Sequence, residues 1–158
     1  MKSAIFSSLG DIITDAMVLD LFCGTGAFGI EAISRGAKFC SFIDKDVTAL
    51  NKNISLLETE QYKVIKGDYF KRGSSLSQDS DIIFIDPPYN LYSSLDILDV
   101  IKNNMLIADN GVIVYEERKD YHFRYDSSYF VLKNKKQYGD TVIYFIRERN
   151  GHNLSWDV

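Results

Sequence analysis

At 158 residues, with 46% hydrophobic and 25% charged side chains, the chain is sized for one domain around one sizeable core and is too short for two ordinary ones. No apolar run approaches the roughly 20 residues of a membrane span, and the lone lysine, scattered apolar residues and Asp11/Asp15 of the first sixteen residues do not make a secretion signal. A cytoplasmic monomer without membrane contact is expected, and the net charge of -4 argues against a surface that grips nucleic acid all over, so any such contact must be local.

Segments rich in Val, Ile and Phe alternate with helix-length patterns, which predicts an α/β chain with a parallel sheet wrapped by helices. The pattern gives a helix over Ser3 to Ile13, a strand over Met17 to Phe22, a helix over Ala27 to Arg35 ended by Gly36, and a strand over Phe39 to Ile43. A helix over Val47 to Leu57, a strand over Tyr62 to Lys66 and a Ser/Gly-rich surface loop over Lys71 to Ser80 follow. Then come a strand over Asp81 to Ile85, a helix over Tyr92 to Met105, a strand over Gly111 to Glu116, and two last strands, Phe130 to Asn134 and Thr141 to Arg147. The last two are separated by residues 135–140, whose Gly139 and Asp140 suit a hairpin turn, so one of these strands must run against the others. Residues 1–150 read as a single domain and Asn150 to Val158 as a frayed polar tail. Glu116 either lines a site or ends its strand, and the second is expected.

Cys23 and Cys40 lack CxxC spacing and a nearby histidine pair, and His122 and His152 stand alone. The cysteines read as small buried hydrophobes, with no metal site. Lys133, Lys135 and Lys136 are the local candidates for nucleic-acid contact, although such a run is usually a solvated edge. Asn53-Ile54-Ser55 matches a glycosylation acceptor but falls in a helical pattern and is set aside.

Two places carry chemistry. The first is Asp20-Leu21-Phe22-Cys23-Gly24-Thr25-Gly26-Ala27-Phe28-Gly29, where a strand gives way to a crossover helix. Glycines there allow a tight turn and close approach to a ligand, and Asp44, about 20 residues on at the end of the second strand, suits a ribose diol. This spacing also permits a NAD-dependent oxidoreductase. Asp20 favours S-adenosylmethionine instead: an acid ahead of the glycines suits an ammonium group, directly or through water, and would repel a pyrophosphate. Asp68, in Gly67-Asp68-Tyr69 after the third strand, suits the amino hydrogens of adenine. Asp20 and Asp68 taken singly also read as helix or turn caps, but with Asp44 and Asp86 they put four acids at four successive strand ends, where ligands of open α/β sheets bind.

The second place is Asp86-Pro87-Pro88-Tyr89, behind the apolar run Ile82 to Ile85 and holding both prolines of the chain. Two prolines fix their φ angles and give a stiff turn. The Asp86 carboxylate and the Pro87 carbonyl are then acceptors for the hydrogens of a planar amine, and the Tyr89 ring can stack on the base that carries it. A Pro-Pro turn can also do no more than end a buried strand.

With these motifs in this order, the chain resembles the class I S-adenosylmethionine-dependent amino-methyltransferases, and more narrowly the RsmD family, which methylates the exocyclic N2 of a guanine in bacterial 16S ribosomal RNA. Lys2 to Leu9 resembles the family's first helix, Gly29 to Ala37 its motif-bearing helix, and Val114-Tyr115-Glu116 and Tyr138-Gly139-Asp140-Thr141 its last strands. Family members carry a basic segment ahead of the first helix, and the resemblance here begins within that helix. The resemblance implies a Rossmann-like sheet of seven strands in the order 3-2-1-4-5-7-6, with strand 7 antiparallel. It implies S-adenosyl-L-methionine as cofactor, held by Asp20, Phe22, Gly24, Gly26, Asp44, Asp68 and Tyr69, and Asp86, Pro87, Pro88 and Tyr89 as the catalytic set. The partner implied is ribosomal RNA or a small ribosomal subunit particle. A DNA adenine-N6 methyltransferase would use the same Asp-Pro-Pro-Tyr logic, and a domain that binds without turnover is the remaining alternative.

Overall fold

The computed structural model describes residues 1–149, so the tail expected over Asn150 to Val158 lies outside the described residues. The strands are β1 Met17–Leu21, β2 Phe39–Asp44, β3 Tyr62–Lys66, β4 Ser80–Ile85, β5 Ile107–Arg118, β6 Phe130–Tyr138 and β7 Thr141–Glu148. The helices are α1 Lys2–Leu9, α2 Ala27–Ser34, α3 Thr48–Asn53, α4 Tyr69–Arg72 and α5 Ser94–Asn103. One sheet runs β3-β2-β1-β4-β5-β7-β6, the expected order. β1 to β5 pair parallel, and β7 runs antiparallel to both β5 and β6.

Alternation along the strands splits the apolar residues between two faces. Val18, Phe42, Phe84 and Val114 pack with Ile5, Phe6 and Leu9 of α1 and with Ala32 and Ile33 of α2. Leu19, Leu21, Ile43, Ile83 and Ile85 pack on the other face with Tyr69 of α4 and Ile97, Leu98 and Ile101 of α5. Cys23 and Cys40 are buried free thiols, as expected.

The boundaries shift for local reasons. The first α-helix stops at Leu9 because Gly10 turns to φ 55°, and a 3₁₀ turn carries the chain on to Ile13. The third helix also tightens, ending as a 3₁₀ turn over Ile54–Leu56. α4 begins the loop expected over Lys71 to Ser80, because the Asp68 side chain accepts the Phe70 N–H and caps it. The fifth helix begins two residues late, where Ser93 accepts the Leu95 N–H at 3.2 Å.

The largest correction is at the hairpin. Residues 135–138 belong to β6, and only Gly139-Asp140 makes the turn, with Tyr138 opposite Thr141 and Gly139 at φ 59°. Lys133, Lys135 and Lys136 therefore lie along the edge strand, where lysines discourage pairing with another chain. Lys135 and Lys136 lean over the rings of Tyr144 and Phe145, at 5.8 and 5.6 Å from the centroids.

Gly29 shows how tightly the first crossover helix seats on the sheet. A Cβ there would lie 2.4 Å from Cε1 of Phe42 and 2.6 Å from Sγ of Cys40, both in the core. Gly29→Ala is expected to destabilise the protein by about 1–3 kcal/mol through overpacking, read as a lower denaturant midpoint. An unchanged midpoint would mean that α2 can lift off without cost.

Candidate active site

The parallel register puts Ile43, Leu21, Ile85 and Tyr115 on one rung across β2, β1, β4 and β5. The next residues are Asp44, Phe22, Asp86 and Glu116, so three acids and an aromatic reach the sheet's carboxyl edge side by side. Two clefts open there. One, of about 380 Å³, is lined by Phe22, Ile43, Asp44, Lys45, Gly67, Tyr69, Pro88, Leu91 and Tyr92. The other, of about 410 Å³, is lined by Asp86, Pro87, Tyr89, Glu116, Glu117, Arg118 and Thr141. The Asp-Pro-Pro-Tyr turn is the wall between them: Pro88 faces the first and Asp86, Pro87 and Tyr89 the second.

Phe22, Asp44 and Tyr69 of the predicted cofactor set line the first cleft. Phe22 has φ 55°, a strained value for a non-glycine residue, which lets it leave the strand and lay its ring in the cleft. It stacks on Tyr92 at 5.7 Å and meets the edge of Tyr69 at 5.3 Å. Asp44 receives the Gly24 N–H on Oδ2 at 2.9 Å and the Lys45 N–H on Oδ1 at 2.7 Å. Each oxygen keeps a free lone pair for a hydroxyl. Aromatic walls with a preset carboxylate fit a nucleoside: the rings take the base, and the acid takes the sugar.

The remaining predicted residues brace this cleft. Asp20 is 4% exposed and accepts the Gly29 N–H on Oδ2 at 3.0 Å, capping α2 from within β1. Burial pushes its carboxyl up to about 8; the Gly29 hydrogen bond lowers it, and the charges of Asp86 and Asp44 raise it. Asp68 caps α4 through Oδ1 at 2.8 Å and turns Oδ2 toward Lys45 Nζ at 3.7 Å, while its neighbours Gly67 and Tyr69 face the cleft. Gly24 and Gly26 have φ 54° and 81°. A Cβ on Gly24 would stand in open space, whereas one on Gly26 would lie 2.4 Å from Leu50, so glycine is required at 26 by packing as well as by backbone.

Lys45, Leu91 and Tyr92 complete the first cleft without having stood out in the sequence. Lys45 Nζ donates to the Tyr92 hydroxyl at 3.0 Å across its mouth. In the second cleft the addition is Glu116, which lies inside β5 and faces Asp86, and so does not end a strand as expected. Asp86 and Glu116 are neighbours across β4 and β5, and Glu116 Oε1 is buried without a partner. Lost hydration and then the Asp86 charge raise Glu116 to about 7, while Asp86, exposed on its outer side, is raised by lost hydration and lowered by its pairing with Glu116. Tyr89 is 56% exposed, with Arg118 over its ring at 4.8 Å. Among the described residues, no group of acids, histidines and cysteines is placed to hold a metal, and no helix is long and apolar enough to cross a membrane.

The Asp20 carboxyl has a consequence for stability. Its protonated form is favoured in the folded chain, so its stabilising contribution is complete below the ordinary value of 3.8 and is lost as pH rises toward about 8. Asp20→Asn keeps an acceptor for Gly29 and removes the charge. The variant is expected to gain on the parent by about 3 kcal/mol between pH 5.5 and 8.5, at about 1.36 kcal/mol per pH unit, measured by urea unfolding at both. Parallel pH dependences in the two proteins would mean that Asp20 ionises freely.

Comparison with known proteins places the family and the fold. The family model of conserved hypothetical protein 95 matches residues 1–147. YlbH of Bacillus subtilis is 28% identical over 94% of this chain and 85% of its own length. The ribosomal RNA small subunit methyltransferase D of Haemophilus influenzae is 30% identical over 85% of this chain and 74% of its own length. Among solved structures, yhhF from Escherichia coli superposes with a TM-score of 0.84, at 25% identity over 96% of this chain and 86% of that one. The chain therefore belongs to the conserved hypothetical protein 95 family, the RsmD family of class I S-adenosylmethionine-dependent methyltransferases.

Proposed function

We propose that the chain moves a methyl group from S-adenosyl-L-methionine to the exocyclic N2 of a guanine in small-subunit ribosomal RNA, presented as RNA or as a small ribosomal subunit particle. The unit proposed is a single domain over residues 1–150, acting as a cytoplasmic monomer. The observation that carries the reading is the Asp-Pro-Pro-Tyr turn standing as the wall between two clefts, one suited to a nucleoside and one lined by acceptors. A methyl donor on one side and an amine on the other would meet at that wall. The name of the Haemophilus influenzae relative supports the choice of RNA.

S-adenosylmethionine supplies a methyl group on a positively charged sulfur, open to attack by a lone pair. Asp44 would take the ribose hydroxyls, and Phe22, Tyr69 and Tyr92 would flank the adenine. Asp20, under the glycine loop, would face the ammonium group across the backbone it holds, and Gly24, Gly26 and Asp68 would shape the loops around it. On the other side, a purine amine is a poor nucleophile because its lone pair is delocalised into the ring. Accepting its two hydrogens at Asp86 and the Pro87 carbonyl favours a pyramidal nitrogen and directs its lone pair across the wall. Rate comes mainly from this orientation and from acceptors set for the positive charge that develops on nitrogen. Tyr89 would stack on a base that has left its helix.

The direct test is transfer of labelled methyl groups to small ribosomal subunits lacking the modification, with tRNA, DNA and protein as comparison substrates. Label confined to DNA or protein, or absent from all four, would overturn the proposal. Asp86→Ala is expected to lower kcat/KM at least about 100-fold while changing S-adenosylhomocysteine affinity only several-fold. Asp44→Ala should do the reverse, with affinity by calorimetry falling about tenfold or more as charged hydrogen bonds are lost; equal affinity would remove Asp44 from the ribose role. Tyr89→Ala should weaken RNA binding about tenfold, the scale of one base–aromatic stack, and leave cofactor binding intact.

A further inference from the structure

The register of β4 and β5 makes neighbours of two acids. Val114 pairs with Phe84 and Tyr115 with Ile85, so Glu116 stands beside Asp86, on the same face of the sheet. Both line the second cleft, and both also border a small apolar recess formed with Ile5, Phe28, Phe84, Val114 and Ile143. The groups facing Glu116 are therefore few. β4 presents Asp86 and β5 itself presents Glu117 and Arg118, while α1, α2 and β7 present Ile5, Phe28 and Ile143, which carry no charge. Arg118 does not compensate the pair: its guanidinium lies over Tyr89 and 3.6 Å from Asp120. From β1, Asp20 adds a further acid near Asp86.

We propose that Asp86 and Glu116 share one proton, carried by Glu116, and that Glu116 is thereby the positioning residue that keeps Asp86 ionised and aimed at the substrate amine. This rests on the methyltransfer reading for its consequence in catalysis, though not for the shared proton itself. Asp86 is exposed and can keep its charge in solvent, whereas Glu116 beside it is half-buried against the apolar recess, so lost hydration and the neighbouring like charge both favour the neutral form of Glu116. The difference in exposure assigns the proton to Glu116, the less exposed of the two, and the pairing acts in the same sense, raising Glu116 and lowering Asp86. The other Glu116 oxygen, Oε1, is buried and unpartnered, so that carboxyl has no second donor to support a negative charge.

The pair also accounts for the proton that the reaction must discard. As the amine nitrogen bonds the methyl carbon, the carbon–sulfur bond breaks and its electron pair stays on sulfur. The nitrogen then carries the positive charge and two hydrogens, one of them already held by Asp86. That proton passes to Asp86, leaving a neutral methylated amine and a doubly protonated pair. The pair returns one proton to solvent through the open cleft and is ready again.

Two measurements test this on the full chain. Carbon-13 NMR titration of the side-chain carboxyls, without any substrate, should show one carboxyl of the parent titrating near pH 7. Glu116→Gln should remove that step and lower the Asp86 midpoint. Two carboxyls that titrate independently below about pH 5, within the ordinary range, would overturn the shared proton. Single-turnover methylation of unmodified small ribosomal subunits should rise and then fall with pH, losing more than about tenfold between pH 7 and 8.5 as the last proton leaves the pair. In Glu116→Gln, whose amide remains a donor, the acid limb should persist and the alkaline limb vanish, with the KM for S-adenosylmethionine unchanged. An alkaline limb retained in that variant would overturn the positioning role. Parent protein that methylates nothing would sink the methyltransfer reading and leave the titration to decide the shared proton.

Discussion

Parallel register is the constraint on which the site depends. Because Ile43, Leu21, Ile85 and Tyr115 share one rung, the residues after them reach the edge together, at the spacing of roughly 4.8 Å between neighbouring strands. No loop has to fold back to bring Asp86 to Glu116, or Phe22 between Asp44 and Asp86. The crossover helices α2 and α5 leave from that same edge, so the chain must turn there. The two turns that matter are held by rigid means: a capped glycine loop after β1 and two prolines after β4. A shift of one residue in β4 would exchange Asp86 for Ile85 and send the carboxylate to the other face of the sheet.

Gathering acids in this way costs stability, and the structure shows how far each is relieved. Asp44 receives two backbone N–H groups. Asp20 receives one, from Gly29, which does not offset its burial, and its carboxyl stays well above the ordinary range. Asp86 and Glu116 have each other. The surplus of acceptors makes the edge a poor place for phosphate and a good one for a cation, which fits a cofactor bearing both an ammonium and a sulfonium. An RNA substrate has then to be gripped away from the wall. Exposed Arg118 and Lys119 lie close by, partly balanced by Asp120 at 3.6 Å and Asp140 at 3.2 Å.

The sheet was legible in the sequence because each strand that builds it carries its own apolar run, and the strand order followed from the family resemblance that the motifs carried. Motif residues that sit at strand ends were also legible: Asp44 and Asp86 needed only to follow a strand to land at the edge. Glu116 was not, since its value lies in its neighbour across the sheet, and a single strand does not disclose which residue stands opposite. Lys45 and Tyr92 were missed for the same reason: they meet across the cleft mouth, 47 residues apart in the chain. Asp20 and Asp68 carried two readings each in the sequence. The structure gives both of them cap hydrogen bonds, from Gly29 in the first turn of α2 and from Phe70 in α4, which bears out the cap reading. Lys135 and Lys136 were misplaced because polar residues on an edge strand look like loop.

The turn between the clefts is stiffer than its prolines alone would make it. Upstream it grows out of β4, whose last four residues are buried in the sheet. Downstream, the Tyr121 hydroxyl donates to the Tyr92 carbonyl at 3.2 Å and accepts the Ser94 N–H at 3.0 Å, while the Ser94 hydroxyl exchanges hydrogen bonds with the Arg124 backbone at 2.6 and 2.9 Å. The segment after β5 thus clamps the start of α5, leaving only the tip of the turn free, where Tyr89 and Leu91 are 56% and 60% exposed. A wall fixed at both ends with an adaptable lip suits a reaction whose barrier is lowered mainly by orientation. If the carboxylate and carbonyl of this turn aim the amine as proposed, they would lose little freedom when substrate arrives, because the turn that carries them is already held at both ends.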